Sequence, residues 1–192
     1  MSPQKNAIVL ASGSPRRREL LDRAGVRFEV VESGVDEVIE GEEPADRFAL
    51  RMAREKALAV SRKIPDAIVL GADTVVEYEG EIMLKPVDRA DAARMLSRLS
   101  GVTHTVTTAF ALARDGELLA AEPVASRVTF RKLSPEEIES YVATGEPMDK
   151  AGAYGIQGLG GTLIVHVEGP RDNVMGLPVR KVLAALNRIR AI

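Results

Sequence analysis

The chain has 192 residues and no cysteine. Without thiols it cannot form disulfides, thiolate metal sites or a cysteine nucleophile. No apolar run is long enough to span a bilayer, and the apolar stretch near the N-terminus is too short for a signal peptide. We therefore expect a cytoplasmic protein without a membrane partner.

An excess of charge of either sign is also absent. The chain carries 28 acidic and 26 basic residues, and its net charge is −2. This balance argues against a protein that coats nucleic acid, so we expect no nucleic-acid partner. No internal repeat or low-complexity linker occurs, and the length suits one domain over residues 1–192 with two lobes.

The nucleotide-binding signatures of P-loop and Rossmann proteins are missing as well. Strand-like and helix-like segments do alternate along the chain. Asp88 and Ser134 are predicted helix N-caps, and Asp115-Gly116 predicts a hairpin between two long strands. Residues 149–161 are predicted to form a glycine-rich loop. The order indicates a mixed α/β fold whose sheet contains antiparallel pairs.

Three consecutive arginines, residues 16–18, follow a Ser-Gly-Ser-Pro turn at the start of a predicted helix. Ser14 suits the N-cap and Pro15 the first helical position. Positive side chains are unfavourable at a helix N-terminus, and a bound anion would relieve the conflict. The alternative is that the arginines pair with nearby acids such as Glu19, and the local pattern leaves both options open.

A second predicted helix, residues 43–65, ends at Pro65 and carries a lysine within its apolar face. Lys56 lies four residues from both Met52 and Val60, whereas Ser61 falls outside the apolar arc. Such a lysine either extends its amine to the surface or binds a partner, and phosphate is a plausible one.

Asp73 interrupts the apolar strand pattern of residues 67–76. A carboxylate there is costly unless it is paired or metal-bound, so it is either a structural ion-pair member or a functional group, and we favour function. Lys85 follows another apolar run and is weak evidence alone. The arginine turn, Lys56, Asp73 and Lys85 together indicate nucleotide chemistry: cations for a polyphosphate and a carboxylate for metal or water.

The same segments resemble the Maf family of nucleoside triphosphate pyrophosphatases, also called septum formation inhibitor Maf proteins. The matching motifs are LASGSPRR (10–17), REKA (54–57), GADTVV (71–76), LKP (84–86), LSGVTHTV (99–106), DKAGAYGIQG (149–158) and NVMGLP (173–178). The resemblance implies a two-lobed mixed-sheet α/β fold, similar to inosine triphosphate pyrophosphatases, with the active site in a cleft between the lobes. It also implies hydrolysis of a nucleoside triphosphate to the monophosphate and pyrophosphate with a divalent metal cation, Mg²⁺ or Mn²⁺.

The resemblance further implies roles for individual residues. Asp73 is expected to accept the proton of the attacking water, and with Glu37 to lie near the metal; Lys56 and Lys85 are expected to bind phosphate. The positions that sort substrates in the family fall on Arg16, Thr74 and Gln157, a combination that resembles the dTTP/UTP subgroup. The remaining expected substrate-binding residues are Ser12, Ser14 and Arg17, with Arg18 mainly facing solvent.

Two alternatives to this function stay open at this point. One is a nucleotide-binding regulator of septum formation without essential turnover, and the other is a pyrophosphatase acting on 7-methyl-GTP. His104 and His166 are expected to have structural roles. Tyr154 either packs on the base or fills the core, and the oligomeric state stays open, with a homodimer as one option.

Overall fold

The computed structural model describes residues 7–191 and is a mixed α/β fold, which confirms the predicted fold class. The α-helices described are α1 (Pro15–Arg23), α2 (Ala45–Ser61), α3 (Arg89–Leu99), α4 (Pro135–Ala143), α5 (Arg171–Met175) and α6 (Val179–Arg188). None of the helices within residues 7–191 is both long and apolar enough to cross a membrane.

Seven strands within residues 7–191 form one sheet. They are β1 (Ile8–Leu10), β2 (Phe28–Val30), β3 (Ile68–Tyr78), β4 (Glu81–Met83), β5 (Thr103–Arg114), β6 (Glu117–Phe130) and β7 (Ile164–Glu168). The strand order is β2-β1-β3-β5-β6-β7, with β4 paired to β3. The β2-β1-β3 strands are parallel, whereas β3-β4 and β6-β7 are antiparallel, so the sheet is mixed as predicted.

The chain divides into two compact units. The first comprises the described residues up to Asp73, residues 108–124, and the described residues from Gly176 onward; the second comprises residues 74–107 and 125–175. In the first unit, β1 and the start of β3 are buried, which explains their continuous apolar runs. In the second, α3 and α4 bury their apolar faces in a core that includes Phe130 and Tyr154.

The predicted turns and caps are confirmed where local chemistry determines them. Asp115 and Gly116 both have positive φ, 53° and 81°, as a two-residue hairpin turn requires. Asp88 caps α3 by accepting a hydrogen bond from the Asp91 N–H, and the side chain of Ser134 caps α4 within a complete capping box.

Two predictions about the second helix were wrong, one about where it ends and one about which face is buried. The second helix ends at Ser61, not at Pro65, because the chain leaves the helix in a turn in which the N–H of Ile64 and of Lys63 both donate to the Val60 carbonyl. Ser61 itself is buried, although the helical pattern placed it outside the apolar arc. Its hydroxyl donates to the Leu58 carbonyl and accepts from the Gly116 N–H. Because the hydroxyl makes both hydrogen bonds, it can be buried.

The predicted glycine-rich loop, residues 149–161, contains short 3-10 turns that were not predicted, but it is not a continuous helix: Gly152 and Ala153 have positive φ, and residues 154–157 are not helical. Short 3-10 helices span Glu146–Asp149, Ala151–Ala153 and Gly158–Leu163. Such turns need no apolar periodicity, so the pattern that reveals an α-helix is missing. Gly152 and Gly158 take positive φ, 66° and 71°, where the segment changes direction.

Candidate active site

A buried ion pair joins α2 to β3 in the first unit. The Lys56 amine donates to Asp73 Oδ1 at 2.6 Å, and the two side chains are only 7% and 4% exposed. The expected lysine within the apolar face of the helix is therefore present, and its partner among the described residues is a carboxylate. The pairing offsets part of the cost of burying both charges.

Gly71 explains how the helix comes close enough to make this pair. A Cβ atom at Gly71 would lie 2.3 Å from the Ala53 carbonyl oxygen and 2.6 Å from the Ala57 nitrogen, which is impossibly close. The missing side chain therefore lets the α2 backbone press directly on β3, two residues before Asp73. Lys56 lies on that contacting turn of α2, so the close packing delivers its amine to the strand.

Glu37 adds a second carboxylate to the Lys56 amine. Its Oε1 accepts from Lys56 Nζ at 2.7 Å, and its side chain is 30% exposed, so it is the solvent-facing member of the trio. Glu37 lies in the segment between β2 and α2, which has no regular secondary structure of its own. One ammonium thus holds two carboxylates from different parts of the chain.

Arg51 ties this irregular segment to α2. Its guanidinium donates to the Val38 carbonyl at 2.8 Å, one residue after Glu37. The same group pairs with Glu43, with Glu55 at 3.3 Å and with Glu40 at 3.6 Å. These contacts raise the pKa of Arg51, chiefly through its hydrogen bond to Glu43, so the clamp stays charged. Arg51 therefore attaches this segment to α2 at two points that follow Glu37, the Val38 carbonyl and the Glu43 carboxylate.

Arg17, in the arginine turn, interacts electrostatically with Asp73 and Glu37. Its Nε donates to the Gly176 carbonyl at 2.8 Å and its Nη1 to Ser12 Oγ at 3.0 Å. Burial lowers the pKa of Arg17, while the negative charges of Asp73 and Glu37 act to raise it. The guanidinium is thus held by two neutral acceptors, and it interacts electrostatically with both carboxylates.

The protonation of Asp73 is shifted by its surroundings. Burial raises the pKa of Asp73 above its ordinary value, and the positive charge of Lys56 opposes that rise. The charge of Glu37 raises it further, because two adjacent carboxylates repel each other. A carboxylate with a raised pKa is a better proton acceptor than an ordinary aspartate.

One oxygen of Asp73 is left without a protein partner. Asp73 Oδ2 is buried and makes no hydrogen bond with any residue of the described part of the chain. Orphaned buried carboxylate oxygens are rare and costly, so such an atom indicates a place for water, a metal ion or a substrate proton.

The remaining predicted site residues divide between the units. Ser12, Ser14 and Arg16 lie with Arg17 at the start of α1, and Ser14 donates its backbone N–H to Ser12 Oγ at 3.3 Å. Three others belong to the second unit: Thr74 directly follows Asp73 on β3, the exposed Lys85 follows β4, and Gln157 precedes the last 3-10 helix. The first unit thus brings together five of the ten predicted site residues, namely Ser12, Arg17, Glu37, Lys56 and Asp73.

Two details of the arginine turn differ from expectation. Ser14 is the N-cap of α1, but its side chain makes no capping hydrogen bond. Arg18 is half-buried and its Nε atom is inaccessible to solvent, although we expected it mainly to face solvent. Arg18 lies three residues before the fully buried Leu21, on the same face of the helix, which is consistent with its partial burial. At the other end of the same helix, Arg23 pairs with Glu19 at 2.5 Å.

Sequence reasoning missed the supports of the site. The carbonyl of Gly176, which orients Arg17, belongs to the NVMGLP motif but was given no role; its positive φ of 114° is the structural signal. No role was predicted for Arg51. The dense acids of residues 36–43 were the available hint that this arginine has several partners.

Comparison with known proteins identifies the family. The family described as Maf-like protein matches residues 7–189, so the chain belongs to it. A dTTP/UTP pyrophosphatase of Geobacter sulfurreducens is 52% identical over 98% of this chain and all of that protein. The proteins of the same name from Geotalea uraniireducens and Escherichia coli O157:H7 are 51% and 48% identical, covering 100% and 97% of this chain and 100% and 94% of theirs.

Among solved structures, a nucleoside-triphosphatase / dITP/XTP pyrophosphatase from Mycobacterium abscessus aligns with 96% of this chain and 95% of its own. The identity is 19% and the TM-score is 0.44.

Proposed function

We propose that this protein is a nucleoside triphosphate pyrophosphatase that hydrolyses dTTP and UTP to the monophosphate and pyrophosphate. The observation that carries the chemistry is the buried Asp73 carboxylate, fixed by Lys56 through one oxygen and unpartnered within residues 7–191 at the other. The substrate choice is supported by full-length relatives at about half identity that bear the name dTTP/UTP pyrophosphatase.

Asp73 is the proton acceptor in this proposal. Water bound at Oδ2 gives up a proton to the carboxylate as its oxygen attacks the α-phosphorus, and pyrophosphate leaves. The raised pKa of Asp73 brings its proton affinity closer to what neutral pH requires. Lys56 holds the other oxygen, so the base cannot rotate away from the water.

The cations balance the charge of the triphosphate. Arg16 and Arg17 stand in the first turn of α1, which contains no acid, and its N-terminal N–H groups favour an anion. Ser12 and Ser14 add hydroxyl and backbone donors beside them. Lys56 and Lys85 complete the proposed phosphate-binding set. Positive groups that hold the leaving pyrophosphate stabilise charge that develops in the transition state.

The donor set also fits a divalent cation. Asp73 and Glu37 offer carboxylate oxygens, the ligand type that Mg²⁺ and Mn²⁺ prefer, and Asp73 Oδ2 is already buried without a partner among the described residues. Within residues 7–191 no group of three or more His, Asp or Glu side chains could hold a metal ion. Mg²⁺ takes one or two carboxylates together with water and substrate phosphates, so two carboxylates suffice as its protein ligands. A bound cation would neutralise phosphate charge and lower the pKa of water.

Base selection is assigned to Gln157, together with Thr74 and Arg16. A glutamine amide offers one donor and one acceptor group, which complement the imide edge shared by thymine and uracil. A mismatched base would leave these groups unpaired, and such sites discriminate strongly.

A triphosphate panel tests the proposal. Purified protein should turn over dTTP and UTP well above CTP, ATP, GTP and 7-methyl-GTP, with the monophosphate and pyrophosphate as first products. Gln157→Glu should lower kcat/KM for dTTP because it loses the donor and adds a negative charge. A preference for 7-methyl-GTP, or indifference to Gln157→Glu, contradicts the substrate assignment. Absence of turnover with every triphosphate contradicts the enzyme class and favours a regulator.

Two matched arginines on α1 test the anion site. Arg16→Ala should raise KM for dTTP, since it removes a proposed phosphate contact. Arg23→Ala should leave KM unchanged, because Arg23 is 65% exposed and pairs with Glu19. Equal effects of the two substitutions would contradict a specific role for Arg16.

A further inference from the structure

A half-buried glutamate in the second unit holds the segment on which Gln157 stands. Glu146 opens the 3-10 helix Glu146–Asp149 directly after Gly145. Its Oε1 accepts from the Gly160 N–H at 2.9 Å, and its Oε2 accepts from the Leu159 N–H at 3.1 Å. Both donors lie within three residues of Gln157.

A phenol completes the anchor. Tyr141, in α4, donates its hydroxyl to Glu146 Oε1 at 2.9 Å, and the backbone N–H of Glu146 donates to Thr144 Oγ1 at 3.1 Å. Burial acts to raise the pKa of Glu146, but the Gly160 and Leu159 N–H groups and the Tyr141 hydroxyl outweigh it, so the pKa is lowered. The anchor is therefore an ionised carboxylate with three donors, a strong arrangement.

The glycines of this segment fit tightly around the anchor. A Cβ at Gly158 would lie 2.8 Å from Glu146 Oε2, and one at Gly160 would lie 2.5 Å from both the Tyr141 hydroxyl and the Gly155 carbonyl oxygen. A side chain at either position would push the carboxylate or the phenol out of place. Two glycines of the GIQGLGG segment, Gly158 and Gly160, therefore leave the space that the Glu146 and Tyr141 side chains occupy.

The side chain of Gln157 takes no part in capping the helix that follows it. Gln157 is the N-cap of the 3-10 helix Gly158–Leu163, and it makes no side-chain capping hydrogen bond. The usual capping side chains are Ser, Thr, Asp and Asn, and glutamine is not among them. Glu146 instead satisfies two of the first N–H groups from outside the helix, and the Gln157 amide is not used for capping.

We infer that Glu146 is a positioning residue for base selection: it fixes the backbone around Gln157 and leaves that amide available to the base. This inference rests on the proposed function, in which Gln157 contacts the pyrimidine. It predicts that loss of the anchor weakens the preference among bases more than it weakens hydrolysis itself.

The experiment measures kcat and KM for dTTP and CTP in Glu146→Gln, with Glu139→Gln as the control. Glu139 is an exposed glutamate of α4, so its substitution removes the same charge without touching the anchor. Glu146→Gln should lower the ratio of kcat/KM for dTTP to that for CTP by about tenfold or more, mainly through KM for dTTP, since misplacement by about 1 Å can cost about 10²-fold. Glu139→Gln should leave the ratio unchanged.

Tyr141→Phe provides a second test of the anchor that does not depend on whether Glu146→Gln folds. It removes one donor and leaves both backbone donors, so it should lower the ratio in the same direction but by less. Faster amide exchange at Leu159 and Gly160 in Glu146→Gln should accompany the loss of selectivity. The inference would be overturned if the ratio is unchanged in both variants, even when kcat/KM itself falls equally for dTTP and CTP. A wild type without base preference would instead overturn the proposed function, and this inference with it.

Discussion

Lys56 and Asp73 in the first unit are buried as charged partners, whereas His104 and Tyr154 in the second unit are buried as neutral ones. His104 Nε2 and the Tyr154 hydroxyl lie 2.7 Å apart, and both rings pack edge-on against Phe130. Tyr154 is therefore a core residue, the second of the two options that the sequence left open. Burial lowers the pKa of His104 to about 4, so its ring is neutral at neutral pH.

Each of these two pairs has one buried atom without a hydrogen-bond partner in the described part of the chain. The atom is Asp73 Oδ2 in the first pair and His104 Nδ1 in the second. The cost differs, because an unsatisfied carboxylate oxygen is far more expensive than a nitrogen of a neutral ring. A folded chain gains nothing structural from the charged cluster that an apolar pair could not supply. The comparison therefore favours the proposed chemistry for the first cluster and packing for the second.

The largest expected effect is on turnover. Asp73→Asn should lower kcat by roughly 10² to 10⁴, the usual contribution of a general base. The melting temperature should change little, since Lys56 keeps Glu37 as a counter-ion and the substitution removes a buried charge with an unpartnered oxygen. Steady-state kinetics with dTTP and a thermal melt check both expectations, with the exposed Asp22→Asn as the control. Near-normal turnover in Asp73→Asn would make Asp73 a structural residue like His104.

Removal of the counter-ion should have the next largest effect, on stability. Lys56→Met leaves Asp73 and Glu37 without their shared cation and should lower the free energy of unfolding by about 3–5 kcal/mol. Lys63→Met, in the exposed turn after α2, is the control. Adding Asp73→Asn to Lys56→Met should restore most of the loss. Urea titrations measure these differences, and a loss that the double variant does not recover would refute the coupling.

His104 should make the protein sensitive to acid. Its pKa is lowered in the folded state, so below about pH 6.5 the unfolded chain binds a proton that the folded chain refuses down to about pH 4. The free energy of unfolding should therefore fall as pH drops through this window, by up to about 3 kcal/mol.

Two histidine variants test that assignment. His104→Gln cannot titrate and should flatten the dependence between pH 6.5 and 4, as measured by urea unfolding at several pH values. His166→Gln should leave the curve unchanged, because His166 is exposed. The same acid sensitivity in His104→Gln would locate the titrating group elsewhere.

The smallest expected effect concerns the segment that carries Glu37. Arg51→Lys keeps the charge but loses the planar fork that binds the Val38 carbonyl and Glu43 together, so kcat should fall by about tenfold through misplacement of Glu37. Arg54→Lys, on the exposed face of α2, should be neutral. If both variants behave alike, the Arg51 clamp does not position Glu37.

Local chemistry explains which parts of the fold could be predicted. The Asp88 and Ser134 caps and the Asp115-Gly116 turn depend on neighbouring residues, and they are confirmed. The 3-10 helices of residues 146–163 depend on distant partners of Glu146 and on glycine contacts. No short-range pattern encodes those, so the sequence suggested a loop.

The candidate site, too, could be predicted only in part from the sequence. Lys56 and Asp73 were found because each breaks an apolar pattern, a signal that needs no partner. That they bind each other depends on Gly71 and on the crossing of α2 over β3, which periodicity cannot show. The catalytic and binding roles that family resemblance implies all stay predictions. Thr74 and Gln157 do not stand out against their own local patterns, and Lys85 is weak evidence alone.

The most direct test of the proposed chemistry is a single turnover of dTTP in ¹⁸O-labelled water, with wild type and Asp73→Asn side by side. If Asp73 activates water for attack on the α-phosphorus, the label appears in dTMP, the pyrophosphate is unlabelled, and the rate collapses in the variant. Label in the pyrophosphate, release of dTDP and orthophosphate, or an unaffected rate in Asp73→Asn would contradict the account.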